Sequence, residues 1–120
     1  MFAVGRAYGG GRWFDGGAFA GKRAMLSVTV GGPSEVYSDV GIYAPINEIL
    51  YPIHHGIFGF TGFTVIEPIV VYGPNRIDDA ARADYLARYR ERLLSLDSAP
   101  TLPQLNTAQY EGFVRRDAHM

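Results

Sequence analysis

The sequence contains no cysteine, which excludes disulfides, thiolate metal sites and a cysteine nucleophile. It carries no excess of either charge: 11 Lys and Arg stand against 12 Asp and Glu, for a formal net charge of -1. That balance gives no electrostatic reason to expect nucleic acid or an anionic membrane as a partner. The amino terminus, MFAVGRAYGG, lacks a long apolar core and a cleavage site, so no signal peptide is read there. Neither common phosphate-binding loop is present. There is no G-x-x-x-x-G-K-S/T, and GGPSEVYS does not match G-x-G-x-x-G. Pro33 also removes an N–H donor that a phosphate cradle would use. No serine sits in a G-x-S-x-G elbow, so acyl transfer by that route has no support.

What is present suits one packed globular domain: 120 residues, 48% hydrophobic and 19% charged, with 15 glycines. Ile49 to Ile66 carries no Asp, Glu, Lys or Arg over 18 residues, close to the minimum for a membrane-spanning helix. Pro52, the His54-His55 pair, Gly56, Gly59 and Gly62 interrupt it, so the segment is expected to be buried in protein rather than lipid. The class implied is soluble and cytoplasmic.

The spacing of apolar residues gives the order strand, helix, strand, helix. Lys22–Val30 is β-branched, apolar and closed by Gly31-Gly32, which reads as an interior strand. From Ala44 to about Phe60 the spacing is helical, with Ile46, Ile49, Leu50, Ile53 and Ile57 on one side. Pro52 should kink or divide that helix, and Gly62 should close it. Thr64–Tyr72 is a second strand, with Pro68 favouring an edge position. Asp78–Leu96 is the clearest helix, with acidic residues at its start and an inner stripe of Ala81, Tyr85, Leu86, Tyr89 and Leu93. The residues after it read as an extended tail. Two strands joined by a crossover helix imply a parallel pair. Such a pair needs cover on both faces and is too small to stand alone. Half of an α/β sheet is therefore expected, with its complement supplied from elsewhere. The first residues fit, reading as the last turns of a helix followed by a glycine-rich loop.

In open α/β sheets ligands bind beyond the carboxyl ends of the strands. Gly31 and Gly32 stand at such an end, where they either make a turn or let a planar group approach the backbone. Tyr37 and Tyr43 follow in a loop. Their rings either pack at its base or their phenols donate hydrogen bonds to charge developing on a carbonyl or ring nitrogen. Arg82 lies in the first turns of the last helix, within reach of an adenine, ribose or phosphate group. His54 and His55 are adjacent on a helix and point apart, so no metal site is read.

Three stretches together, GKRAMLSVTVGGPSEVYSDVGIY, NEILYPIHHGIFGFTGFTVIEPIVVYG and DDAARADYLARYRERL, resemble the carboxyl-terminal half of the NAD(P)H:quinone oxidoreductase family. The likeness runs without gaps from Met1 to about Leu94. It implies a flavodoxin-like fold, a three-layer α/β/α domain on a parallel sheet, here with only its last two strands and helices. Residues 1–98 would form that part of the domain and 99–120 the extended tail. It further implies a tightly bound flavin (FAD, with FMN as the alternative), NAD(P)H as co-substrate, a quinone as acceptor, and a homodimer or partner chain. Hydride would pass from NAD(P)H to the flavin and then to the quinone.

Carried onto this sequence, the resemblance lays Thr29, Gly31 and Gly32 against the flavin ring through backbone contacts. Tyr37 would hydrogen-bond the ring's pyrimidine edge, and Arg82 would stand near the adenine of FAD. Tyr8 and Phe60 would wall the substrate and nicotinamide pocket, at the neighbouring subunit's flavin or at the chain's own. Tyr43 takes the place of a histidine that partners the tyrosine in the mammalian enzymes, and Gly10 replaces a second pocket tyrosine. The family's first three strands, its diphosphate loop and its Trp-Phe flavin contact all precede the position of Met1. The competing expectation is a non-catalytic, flavodoxin-derived interaction module that needs a partner.

Overall fold

A computed structural model describes residues 6–119. The helix fragment expected at the amino terminus falls mainly on residues 1–5, outside the described residues. Two strands, β1 (Arg23–Val30) and β2 (Thr64–Tyr72), form one sheet. The Thr64 N–H donates to the Lys22 carbonyl at 2.8 Å, and the Gly73 N–H donates to the Val30 carbonyl at 2.8 Å. Partners thus advance together along both chains, which is the parallel sense. The expected α/β pattern of two parallel strands around a crossover is present.

Two helices of very different regularity complete the pattern. Helix α3 (Asp79–Leu94) starts where the Asp78 side chain accepts the Ala81 N–H, a cap that satisfies one orphan donor of the first turn. Its buried stripe departs from expectation: Leu86 and Leu93 are 69% and 46% exposed. The less exposed positions are Ala81, Tyr85, Tyr89 and Arg92. Arg92 lays its aliphatic stem inward and sends its guanidinium to the Glu67 carbonyl and the Met25 sulfur.

The crossover is broken into α1 (Ile46–Ile49), a three-residue turn α2 (Tyr51–Ile53) and a π-helical stretch, His54–Gly59. The break falls at Leu50, just ahead of Pro52, whose ring excludes the helical bond back to position 48. The change to i→i+5 bonding shifts the period. Of the expected inner face only Leu50 is buried, while Ile49, Ile53 and Ile57 are exposed and His54 is 4% exposed.

The chain divides into two compact units. One comprises Met1–Ala24, Pro52–Val65 and Leu102–Met120. Its interior holds Ala7, His54, Thr61 and Val65, with the Thr61 hydroxyl donating to the Ile57 carbonyl at 2.7 Å. Two short strands, β3 (Tyr110–Glu111) and β4 (Val114–Arg115), form an antiparallel hairpin. Asp15 ties the approach to that hairpin by accepting from both the N–H and the hydroxyl of Thr107. The other unit comprises Met25–Tyr51 and Ile66–Thr101. It buries Leu50 and Ile66.

Beyond α3 the chain returns to the outer side of β2. Glu67 donates its N–H to the Pro100 carbonyl, Ile66 bridges Thr101 in the antiparallel sense, and Leu102 donates to the Val65 carbonyl. No described strand pairs with β1 on its other side. Ser27 and Thr29 are exposed along β1 and no residue of that strand is fully buried, although its composition reads as an interior strand.

Candidate functional site

The bond from Gly73 to Val30 pins the carboxyl ends of β1 and β2 together, and the chain leaves β1 through Gly31 and Gly32. These glycines meet different surroundings. A Cβ built on Gly31 would meet nothing within 4 Å, whereas one on Gly32 would meet Val36 Cγ2 at 2.9 Å and the Tyr37 ring at 3.3 Å. The short 3₁₀ turn Ser34–Tyr37 carries Tyr37 back over Gly32. There the Tyr37 hydroxyl oxygen accepts the Gly32 N–H at 3.2 Å. The N–H that the glycine step would offer a ligand is therefore taken up by Tyr37.

Aromatic packing holds that arrangement. Tyr43 donates its backbone N–H to the Val36 carbonyl at 2.9 Å and stacks its ring on Tyr37, with centroids 5.2 Å apart and planes 20° apart. Such offset stacking adds to area burial. Tyr72, at the end of β2, tilts against Tyr37 at 5.8 Å. Burial pushes the Tyr72 phenol pKa up, and the neighbouring Tyr85 and Tyr37 phenols add to it. The loop closes tightly at Gly41, where a methyl group would lie 2.3 Å from the Val36 carbonyl oxygen.

Arg76, in the turn after β2, donates from Nη2 to the Gly31 carbonyl at 2.5 Å. The sequence reading did not single it out; its position just past the carboxyl end of the second strand was the available signal. Arg82 pairs with Asp79 at 3.1 Å and donates to the Pro74 carbonyl at 3.1 Å, with its side chain 49% exposed. Thr29 is exposed on β1. One unit thus brings Gly31, Gly32, Tyr37 and Tyr43 together and adds Tyr72 and Arg76.

Tyr8 and Phe60 meet in the other unit, their ring centroids 5.5 Å apart. Phe14 stands edge-on to Phe60 at 5.4 Å and against His55 at 5.0 Å. Among the described residues the two ring nitrogens of buried His54 have no hydrogen-bond partner. Burial lowers the pKa of both His54 and His55. Among the described residues no group of three or more His, Asp or Glu side chains could hold a metal ion, and no helix is long and apolar enough to cross a membrane.

Chemically, the Gly31 step is a floor without a side chain beside an aromatic hydroxyl whose oxygen is already accepting. With one acceptor position of that oxygen engaged, its O–H is the donor it can offer a newcomer. An open floor and a donor suit one edge of a flat ring bearing acceptor atoms, and the isoalloxazine of a flavin is such a ring.

A model of a family with the flavodoxin-like fold matches residues 1–93. The chain belongs to this family. Among curated proteins it is similar to NAD(P)H dehydrogenase (quinone) 1 of Cavia porcellus, 39% identical over 101 residues, which is 83% of this chain and 37% of that protein. It is likewise similar to the ribosyldihydronicotinamide dehydrogenase (quinone) of Homo sapiens, 32% identical over 76% of this chain and 39% of that protein. A solved structure assigned as a quinone reductase, from Klebsiella pneumoniae, superposes with a TM-score of 0.79 at 36% identity, covering 98% of this chain and 44% of the other. The resemblance read from the sequence and the flavodoxin-like α/β fold are both borne out. The chain spans less than half the length of each of these relatives.

Proposed function

We propose that this chain forms the carboxyl-terminal half of a flavin-dependent NAD(P)H:quinone oxidoreductase. The observation that carries the reading is the open Gly31 floor beside the Tyr37 hydroxyl, at the carboxyl end of a parallel pair. The names of the relatives support a quinone as the substrate class. A bound flavin, FAD or FMN, would supply the hydride-accepting and hydride-donating chemistry. The chain's own residues would bind and orient. Thr29, Gly31 and Gly32 form the floor, the Tyr37 hydroxyl donates to a ring heteroatom, and the stacked Tyr43 fixes the angle of Tyr37. Arg82 would face the adenine end of FAD, and Tyr8 with Phe60 would present an aromatic wall to quinone and nicotinamide. The working assembly in this reading is a homodimer or a complex with a partner chain.

A second reading, a non-catalytic interaction module, draws on the apolar side chains left in solvent: Val40 is 94%, Ile42 86% and Leu94 75% exposed. Exposed apolar surface of this kind marks association sites. Flavin retention separates the two. The purified chain is incubated with excess FAD, desalted exhaustively, and its visible absorption recorded, followed by NAD(P)H-dependent quinone reduction. A retained, perturbed flavin spectrum with turnover is the expected result. A colourless protein overturns the catalytic reading for this chain and favours the interaction module.

A further inference from the structure

We propose that Arg76 is a positioning residue: with Tyr37 it clamps the Gly31–Gly32 peptide from opposite sides and so turns the Tyr37 proton outward, into the site. The inference rests on the oxidoreductase reading for its functional consequence, but the clamp itself stands on geometry alone.

The two contacts fall on one peptide unit. Its carbonyl, from Gly31, accepts from Arg76 Nη2 at 2.5 Å, and its N–H, from Gly32, donates to the Tyr37 oxygen at 3.2 Å. In a trans peptide these groups point in opposite directions, so Arg76 and Tyr37 grip opposite edges of the same plane. The Arg76 bond is charge-assisted. Among the described residues the salt bridges of Arg82, Arg88, Arg115 and Arg116 each engage a carboxylate, and none engages Arg76. Its charge therefore acts on the peptide without neutralisation by an ion pair. A cation at the carbonyl oxygen polarises the peptide and strengthens its N–H as a donor. The better donor holds the Tyr37 oxygen more firmly, and a phenol held through its oxygen must aim its proton elsewhere. The Tyr43 ring, stacked on Tyr37, resists rotation away from this pose.

The glycines make the device feasible. Tyr37 approaches so closely that a Cβ on Gly32 would crowd its ring. Gly31, carrying the gripped carbonyl, keeps its own Cα side open. Arg76 thus acts on a ligand through a backbone peptide and a tyrosine, rather than by touching it.

The test uses the intact, ¹⁵N-labelled chain without cofactor, comparing Arg76→Gln, Arg76→Lys, Tyr37→Phe and the Arg76→Gln/Tyr37→Phe double variant. Hydrogen exchange at the Gly32 amide is the readout. Losing one hydrogen bond of ordinary net strength, about 1.4 kcal/mol, speeds exchange roughly tenfold. Tyr37→Phe should do so, Arg76→Gln should speed exchange in the same direction but by less, since it weakens the Gly32 bond without removing it, Arg76→Lys should do so least, and the double variant should be no faster than Tyr37→Phe alone. Unchanged Gly32 exchange in Arg76→Gln, or additive effects in the double variant, overturns the clamp. Arg76 is exposed, so its substitution leaves the fold in place for the comparison.

A second arm uses the flavin-loaded protein, in which Arg76→Gln and Tyr37→Phe should each lower kcat at constant KM. A raised KM at constant kcat would show Arg76 gripping an anionic ligand directly and would overturn the positioning role. A chain that retains no flavin defeats the oxidoreductase reading instead, and the amide measurement still decides the clamp.

Discussion

Gly17 and Gly31 both lack a side chain, yet a methyl group at Gly17 would meet the Thr61 carbonyl oxygen at 2.4 Å, whereas one at Gly31 would meet nothing within 4 Å. Around Gly17 the backbone is closed on itself. Thr61 accepts the Phe19 N–H at 2.9 Å, and Gly62, at φ +108, lies where a Cβ would reach 2.9 Å from the Ala20 nitrogen. Around Gly31 the chain is held at its polar edges, by Arg76, through Gly32 by Tyr37, and through Val30 by Gly73. The first glycine is there because another segment of backbone fills its space. The second leaves its space empty beside a donor. A glycine-rich sequence therefore mixes two kinds of position, and only the environment tells them apart.

The sharpest way to break this comparison is Gly17→Ala. Forcing a methyl against backbone atoms should cost about 3 kcal/mol, at the upper end of ordinary overpacking, and urea unfolding measures it. A loss near zero would mean the region is not closed. Gly32→Ala should cost about 1–2 kcal/mol, because Val36 and the Tyr37 ring can yield where backbone cannot; the Tyr37 ring resonances should move with it.

Acidification probes the closed region through His54. Its folded pKa lies below the ordinary 6.5 because of burial. The unfolded chain then binds the proton more readily, and stability is full above pH 6.5 and falls as the pH drops toward the lowered folded value. His54→Leu, which removes two unpartnered nitrogens, should flatten that profile below pH 6.5 in thermal unfolding. The smallest expected change in stability is that of Gly31→Ala, within about 0.5 kcal/mol. Flavin retention should nevertheless drop, since the methyl would stand on the floor. Full retention by Gly31→Ala would remove Gly31 from the site.

Most of the architecture was legible because it is written locally. The eight residues of β1 and the nine of β2 stand out by β-branching and their glycine ends, and Asp78 marks the start of α3 by its capping chemistry. What the sequence could not convey was the interior of the crossover. Ile53 and Ile57 keep helical spacing, but the chain breaks before Pro52 and turns π-helical from His54, and the two isoleucines end exposed while His54 is buried. Periodicity presumes one kind of helix and fails where the kind changes. Arg92 in place of Leu93 on the inner stripe is a similar case, since a long stem with a distant charged end reads as a surface residue until its carbonyl partner is known. Within the candidate site, Tyr37 beside Gly32 followed from their nearness in sequence. Arg76 lies 45 residues from Gly31, a separation across which no local rule operates.

The return of residues 100–102 along the outer side of β2 gives the sheet a valence. With the Val65–Glu67 part of one flank covered by the chain's own segment, and no described strand on the far side of β1, the full length of β1 is the longer address for strand addition. A partner docking there terminates the sheet if its own far edge is closed in the same way. Two such chains meeting edge to edge along β1 would then form a pair whose outer flanks are partly covered, which shortens the edge from which a fibre could grow.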